Sequence, residues 1–394
     1  MFEQFYSKRI QNTPPSFIRE SLKVIQNPKI ISFAGGLPNP ISFPQKELQA
    51  SMNRIAEKYG DKLYQYSTTL GLDSLRQFVV DRYNSQMDMN ISLDNVIITT
   101  GSQQALDLLG KVFVNPKDKI LIEKPSYLGF LQAFCMYEAD FVQTQLDEDG
   151  LNIEDLKRNI KEHKPKLAYL IPNFQNPTGL TYSEENRKEI FEVIKDEDML
   201  VVQDDPYGEL RFGNDERINY IGLNQTDKNI YLGSFSKIIT PGMRIGYVIA
   251  HKDIIRKLEI AKQSSDLHSN IYCQYLISDY LQNNDVDTHI KKIRVLYENQ
   301  ANAMVCAMKK YFPDDIKFTI PKGGMFTWVT LKDGASSLEL FNKAVEKNVA
   351  FIPGIPFYVG VKDINTLRLN FSNSSPELIE EGIKRLSSAI KELS

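Results

Sequence analysis

NVIITTGSQQALDLLGKVF, residues 95–113, reads as a strand that runs straight into a helix, and the chain repeats that couplet as far as about residue 250. The β-branched run through Ile97 and Ile98 suits a strand, and the apolar spacing after Gln104 suits a helix. KILIE leads into YLGFLQAFCMYE and KLAYLIP into EENRKEIFEVIKDE; MLVVQD, NIYLGSF and GYVIA follow. This alternation predicts an α/β fold with a largely parallel sheet wrapped by helices. In open sheets of that kind the ligand crevice lies beyond the carboxyl ends of the strands. The polar motifs of this chain stand at those ends.

With 394 residues the chain exceeds what one hydrophobic core usually serves, so more than one lobe is expected. From about residue 287 the pattern changes to a long amphipathic helix, the strand-like KFTIPKGGMFTWVTL and a closing ELIEEGIKRLSSAIKEL, which reads as a smaller α+β lobe. The expected division is an N-terminal segment (1–45), a large domain (46–286) and a small C-terminal domain (287–394). FAGGLPNPISFP, residues 33–44, has no helical period and reads as a hinge or substrate-facing loop. A formal charge of −3 gives no reason to expect nucleic acid as a partner. No apolar run reaches membrane-spanning length and the start MFEQFYSKRI lacks a signal-peptide core, so cytoplasmic residence and no membrane partner are expected. Cys135, Cys273 and Cys306 form no C-x-x-C pair, and the four histidines have no ligand spacing, so neither a disulfide framework nor a metal site is expected.

GSFSKIITPGMRIGY, residues 233–247, sets hydroxyls, glycines, Lys237 and Arg244 after a strand, a combination suited to a phosphate dianion. Lys237 alone could be a phosphate contact, a surface charge or a catalytic amine. VVQDDPYGEL delivers Asp204 and Asp205 to a strand end; adjacent acids there can be turn formers, or one can face a pyridine nitrogen and keep it protonated. Asn176 in PNFQNPTG belongs to a good turn sequence, and its amide could donate to a phenolate oxygen. GSQQAL opens a helix directly after a strand, so the N–H groups of Ser102 and Gln103 can meet an anion.

Taken in order, SFIRE, SFAGGLPNPISFP, QYSTTLGLDSLR, GSQQALDLL, KPSYLG, PNFQNPTG, DDPYGEL, SFSKIITPGMRIGY and RLNFS resemble the fold type I pyridoxal-5′-phosphate (PLP) aminotransferases of class I/II, most closely the 2-aminoadipate and kynurenine aminotransferase group. The resemblance spans nearly the whole chain. It implies a PLP-dependent transferase fold with a mainly parallel seven-stranded sheet, a homodimer with shared active sites, and PLP as cofactor. Lys237 would carry the cofactor covalently, Asp204 would pair with its ring nitrogen, and Asn176 and Tyr207 would hold its ring oxygen. The phosphate would fall to Ser102, Gln103, Ser234, Ser236 and Arg244. Tyr127 would stack on the ring, and Tyr66 would reach the phosphate of the partner subunit. Arg368 would grip the substrate α-carboxylate, with Gly36 passing close to the substrate. Arg19 matches an arginine on an N-terminal segment associated with side-chain recognition; a helix-surface arginine is the alternative.

The implied reaction transfers an amino group from an L-amino acid to a 2-oxo acid, with 2-oxoglutarate as the expected acceptor, in a ping-pong sequence. Broad specificity over 2-aminoadipate, aromatic or branched-chain amino acids is expected. Lys237, once displaced by the substrate amine, would act as the base at Cα. The same start serves a carbon–sulfur β-lyase, the nearest alternative chemistry. A ligand-sensing domain of a transcription regulator is the alternative outside catalysis, but no basic recognition helix is visible ahead of FAGG.

Overall fold

The computed structural model describes residues 2–11, 13, 27–213, 219–362 and 364–393. Eight strands form the central sheet: β1 (Val96–Thr99), β2 (Lys119–Lys124), β3 (Asp140–Asp147), β4 (Gly150–Leu151), β5 (Leu167–Leu170), β6 (Leu200–Asp204), β7 (Asn229–Ser234) and β8 (Gly246–Ile249). Across the sheet they run β1, β8, β7, β6, β5, β2, β3, β4. The central pairs are parallel. β8 opposes both of its neighbours, because only the short turn 235–245 separates it from β7. The eighth strand, beyond the seven expected, is the two-residue β4, which doubles back on β3 where Gly150 adopts a φ of 147°.

Every residue of β1, β5, β7 and β8 is buried, as expected of strands covered on both faces. Alternate residues serve opposite cores. Ile120 and Ile122 join Leu106, Leu109, Phe130, Phe134 and Leu258, beneath helices Ser102–Phe113, Leu128–Cys135 and Lys252–Gln263. Leu121 points the other way, to Leu156, Ile160, Ile190 and Ile194 of helices Ile153–His163 and Glu184–Ile194. Side-chain caps start these helices where the sequence supplies them: Asn152 accepts from Asp155 N and Ser183 from Asn186 N.

The remaining lobe holds an antiparallel sheet in the order Lys317–Phe318, Phe326–Thr330, Thr366–Asn370, Ile352–Pro353. Helices Val286–Tyr311 and Pro376–Lys391 pack together behind it. KFTIPKGGMFTWVTL is therefore two strands, split by the turn that Gly324 makes at a φ of 70°. The N-terminal segment is stitched to this lobe: Ile31–Ser32 pairs in parallel with Val349–Ala350, and Phe33 O accepts from Asn370 N at 2.8 Å. FAGGLPNPISFP then crosses toward the large sheet, with one short 3₁₀ turn, Pro40–Ser42, capped by Asn39. No described helix is long and apolar enough to cross a membrane.

Candidate active site

β1, β2, β5, β6 and β7 all deliver their carboxyl ends to the same edge of the sheet, and the chain beyond each end supplies the walls of one cavity. Ser102, Gln103, Tyr127, Asn176, Asp204, Tyr207, Ser234, Ser236, Lys237 and Arg244 line it, enclosing about 300 Å³. Ile171, Pro206 and Pro241 complete the lining, the two prolines from within VVQDDPYGEL and GSFSKIITPGMRIGY.

At the end of β6 the adjacent acids separate. Asp205 is a turn former: its carboxylate accepts from Gly208 N at 2.8 Å and from the Tyr220 hydroxyl at 2.6 Å. Asp204 lines the cavity, with Oδ2 accepting from the Tyr169 hydroxyl at 2.7 Å while Oδ1 is buried without a hydrogen-bond partner. Burial pushes this carboxyl up to about 7, against the pull of the Tyr169 bond. An unpaired buried acceptor costs about 1–3 kcal/mol. A protonated ring nitrogen brought to Oδ1 removes that cost.

The turn between β7 and β8 carries both cations. The Lys237 amine donates to Gly36 O at 2.9 Å and lies 6.0 Å from the centre of the Tyr207 ring. Burial, with help from Arg368 and Arg244, pulls it down to about 8, so an appreciable share of the amine is neutral near physiological pH. Arg244 stands at the rim in the left-handed region, with a φ of 54°, its guanidinium 3.5 Å from Ser236 Oγ. Ser102 and Gln103 open the helix after β1, where N–H groups have no intrahelical acceptor. Hydroxyls, N–H groups and a guanidinium thus converge on the cavity, and a carboxyl with one unpaired oxygen stands in its wall. A group with a dianionic phosphate and a protonated aromatic nitrogen fits that donor set.

Asn176 bridges the cavity to the small lobe. Its Oδ1 accepts from Arg368 Nη1 at 2.8 Å, and its Nδ2 donates to the Tyr207 hydroxyl at 3.4 Å. Burial holds that hydroxyl above its ordinary range. Arg368, only 1 % exposed, also donates to Ala34 O at 2.7 Å and lies over the rings of Phe326 and Phe357 at 4.2 and 5.2 Å. Its Nε has no partner, and among the described residues no carboxylate pairs with it. Burial pulls the guanidinium down to about 10. A carboxylate ligand is the group that such a site lacks.

Gly36 reaches the site through its carbonyl rather than as a lining residue, and a Cβ there would stand 3.1 Å from the Phe326 ring. Tyr66 does not line the cavity within one chain: it is 79 % exposed, and its ring meets the His268 ring edge-on at 5.8 Å. Arg19 lies outside the described residues. Two contributors had gone unmarked. Tyr169 is stacked on Phe130 at 3.8 Å and holds Asp204; its signal was a tyrosine inside an otherwise aliphatic strand. Gly101, at a φ of 72°, turns β1 into its helix, and a Cβ there would stand 2.4 Å from Arg244 Nη2.

A family model described as aminotransferase class I and II matches residues 39–386. The chain is 42 % identical to aromatic-amino-acid aminotransferase 1 of Thermococcus litoralis, over 99 % of its own length and 95 % of the relative's. Among solved structures it is similar to the kynurenine aminotransferase of Pyrococcus horikoshii in complex with PMP (TM-score 0.95, 43 % identity, 99 % and 98 % covered). It is likewise similar to the alpha-aminoadipate aminotransferase of Thermus thermophilus complexed with N-(5′-phosphopyridoxyl)-L-leucine (TM-score 0.93, 38 % identity, 100 % and 99 % covered).

Proposed function

Because the chain belongs to the class I and II aminotransferases, enzymes that move amino groups with PLP, we propose that the cavity around Lys237 is where it does so, on a broad range of L-amino acids with 2-oxoglutarate as acceptor. The observation that carries the reading is the buried, unpartnered Oδ1 of Asp204 in the wall of a cavity that also holds a lysine with a lowered proton affinity. PLP, when bound, supplies an aldehyde for the amino group and a ring that draws electrons from the substrate Cα. Asp204 Oδ1 keeps the ring nitrogen protonated. Tyr207 and Asn176 hold the ring oxygen, Tyr127 covers the ring face, and Ser102, Gln103, Ser234, Ser236 and Arg244 hold the phosphate. Lys237 Nζ takes the Cα proton, a transfer that is worth roughly 10²–10⁴-fold when a base is well placed.

Gly101→Ala should weaken cofactor binding, because a side chain is strained at a φ of 72° in the turn that leads to Ser102 and the added carbon displaces the Arg244 guanidinium beside it. Loss of a charge-assisted bond is worth about 1.5–3 kcal/mol, so titration of the apoenzyme with PLP should give a Kd at least roughly tenfold higher. An unchanged Kd would remove Arg244 from the phosphate site.

Arg368 recognises the α-carboxylate common to every substrate. Arg368→Lys keeps the charge but loses the planar fork, so KM should rise about ten- to hundredfold for amino acids and oxo acids alike. A loss confined to one substrate class, measured in both half-reactions, would contradict this role. We assign to Arg19 the distal carboxylate of substrates such as 2-aminoadipate and glutamate. A pocket that serves aromatic and acidic side chains in turn accords with the names of the relatives.

We read the enzyme as a cytoplasmic homodimer whose sites are shared. Tyr64 and Tyr66 are 81 % and 79 % exposed on one chain, an unusual cost for two large rings unless a second copy covers them. Tyr66 would then reach the partner's phosphate. Mixing inactive Lys237→Ala with impaired Tyr66→Phe should restore partial activity through hybrid dimers. A fully active monomer in sedimentation would exclude a shared site.

A further inference from the structure

Glu123, near the end of β2, is completely buried and takes no part in the roles above. Each of its hydrogen bonds comes from a donor. Oε1 accepts from Ile171 N at 2.8 Å and from the Tyr182 hydroxyl at 2.6 Å, and Oε2 accepts from Gln175 Nε2 at 2.8 Å. Gln175, also fully buried, is the residue before Asn176. Its Nε2 donates a second time, to Pro125 O at 2.9 Å, which turns its Oε1 toward Thr178. That oxygen accepts from both Thr178 N at 2.8 Å and Thr178 Oγ1 at 2.7 Å. The turn closes on itself through Gly179 N to Gln175 O at 2.6 Å.

We propose that Glu123 is a positioning residue for Asn176: its carboxylate fixes which way the Gln175 amide faces, and that amide sets the turn from which Asn176 meets Arg368 and Tyr207. The inference rests on the reading of the Lys237 cavity as the active site. A side-chain amide can be satisfied in either of two flipped orientations, so something must choose between them. Glu123 chooses because all three groups that face its oxygens are donors, and their bonds favour the accepting carboxylate while burial pushes the carboxyl up to about 7. An amide at position 123 that kept its oxygen on Ile171 N and the Tyr182 hydroxyl would set one NH₂ group against another; Gln175 would then flip and present its NH₂ to Thr178 N–H, carrying the conflict into the turn. Packing alone gives no reason for a carboxylate here: an apolar residue would fill the same volume but would leave the Ile171 N–H, the Tyr182 hydroxyl and the Gln175 amide without their acceptor.

The test uses the holoenzyme and a polarity swap. Glu123→Gln and Gln175→Glu, each alone, should shift the pH at which the visible band of the lysine-linked cofactor titrates. Each should also raise KM for the amino acid by roughly ten- to hundredfold, the scale of a displaced binding group. Together the two substitutions let the amide then at position 123 donate to the carboxyl then at position 175, which, protonated where it is buried, donates in turn to Pro125 O, so the double variant should return to within about threefold of wild type. A purely structural role for Glu123 would lower the melting temperature without moving the band. Glu123→Gln with a wild-type band and KM, or a double variant no better than its parents, would overturn the proposal. If Glu123→Gln does not fold, the double variant decides alone: folded with the wild-type band it supports the proposal, folded with a shifted band or unfolded it overturns it. Asn176→Ala separates this proposal from the reading beneath it. A shifted band in Asn176→Ala with none in Glu123→Gln defeats only the positioning role, whereas no shift in Asn176→Ala defeats the assignment of Asn176 to the site.

Discussion

Lys237→Ala should still bind PLP and should fail to transaminate, with kcat reduced by at least roughly 10³-fold, within the range assigned to a positioned base and before counting the lost covalent link. Retention follows from the donors that remain: the hydroxyls of Ser234 and Ser236, the first N–H groups of the helix at Ser102, the Arg244 guanidinium and the unpaired Asp204 oxygen all line the same cavity. Equilibrium dialysis of the variant with PLP, beside a single-turnover assay, separates binding from chemistry. Near-normal turnover would mean that another group removes the proton. Among the described residues, no other lysine lines the cavity.

Asp204→Asn should be nearly as damaging while changing shape very little. Asn at 204 can still accept from Tyr169, but it no longer offers a charge to a protonated ring nitrogen. The lost charge-assisted bond accounts for about 1.5–3 kcal/mol, and the weakened electron sink raises the barrier further, so activity should fall at least about 10²-fold. Asp205→Asn should leave the chemistry largely intact, because Asp205 is bound to Gly208 and Tyr220 rather than to the cavity. Measuring kcat/KM for both variants tests the assignment. The opposite ranking would mean that the wrong acid has been chosen.

Much of this site could be read in the sequence because its residues stand immediately after buried, β-branched strands. Asp204 ends β6, Ser234 ends β7, and Ser102 begins a helix three residues after β1. A short-range pattern therefore brought distant residues to one edge. Arg368 was legible for a different reason: RLNFS resembles the family's segment that carries the carboxylate-binding arginine. What could not be read depended on partners far away in sequence. Gln103 was assigned to an anion through its backbone, and nothing in GSQQAL indicates that its side chain donates to Gly129 O. Tyr169 looked like ordinary strand filler until Asp204 lay beside it. Glu123 reads as a charged strand end, and only the fold buries it among three donors. Around the central sheet, β3 and helix Ile153–His163 could not be read for lack of contrast. β3 is a part-exposed strand near the sheet edge, and the helix carries only Leu156 and Ile160 as buried apolar residues.

One cavity, built around Lys237, should pass an amino group from an amino acid to an oxo acid in two separable halves. Its most direct test is to add an L-amino acid alone to the purified holoenzyme while following the visible band and the released products. The band should bleach once, with one equivalent of 2-oxo acid released per chain, and 2-oxoglutarate should restore it. Continuous release of ammonia and oxo acid with the band unbleached, or no change in the band with any amino acid, would contradict it.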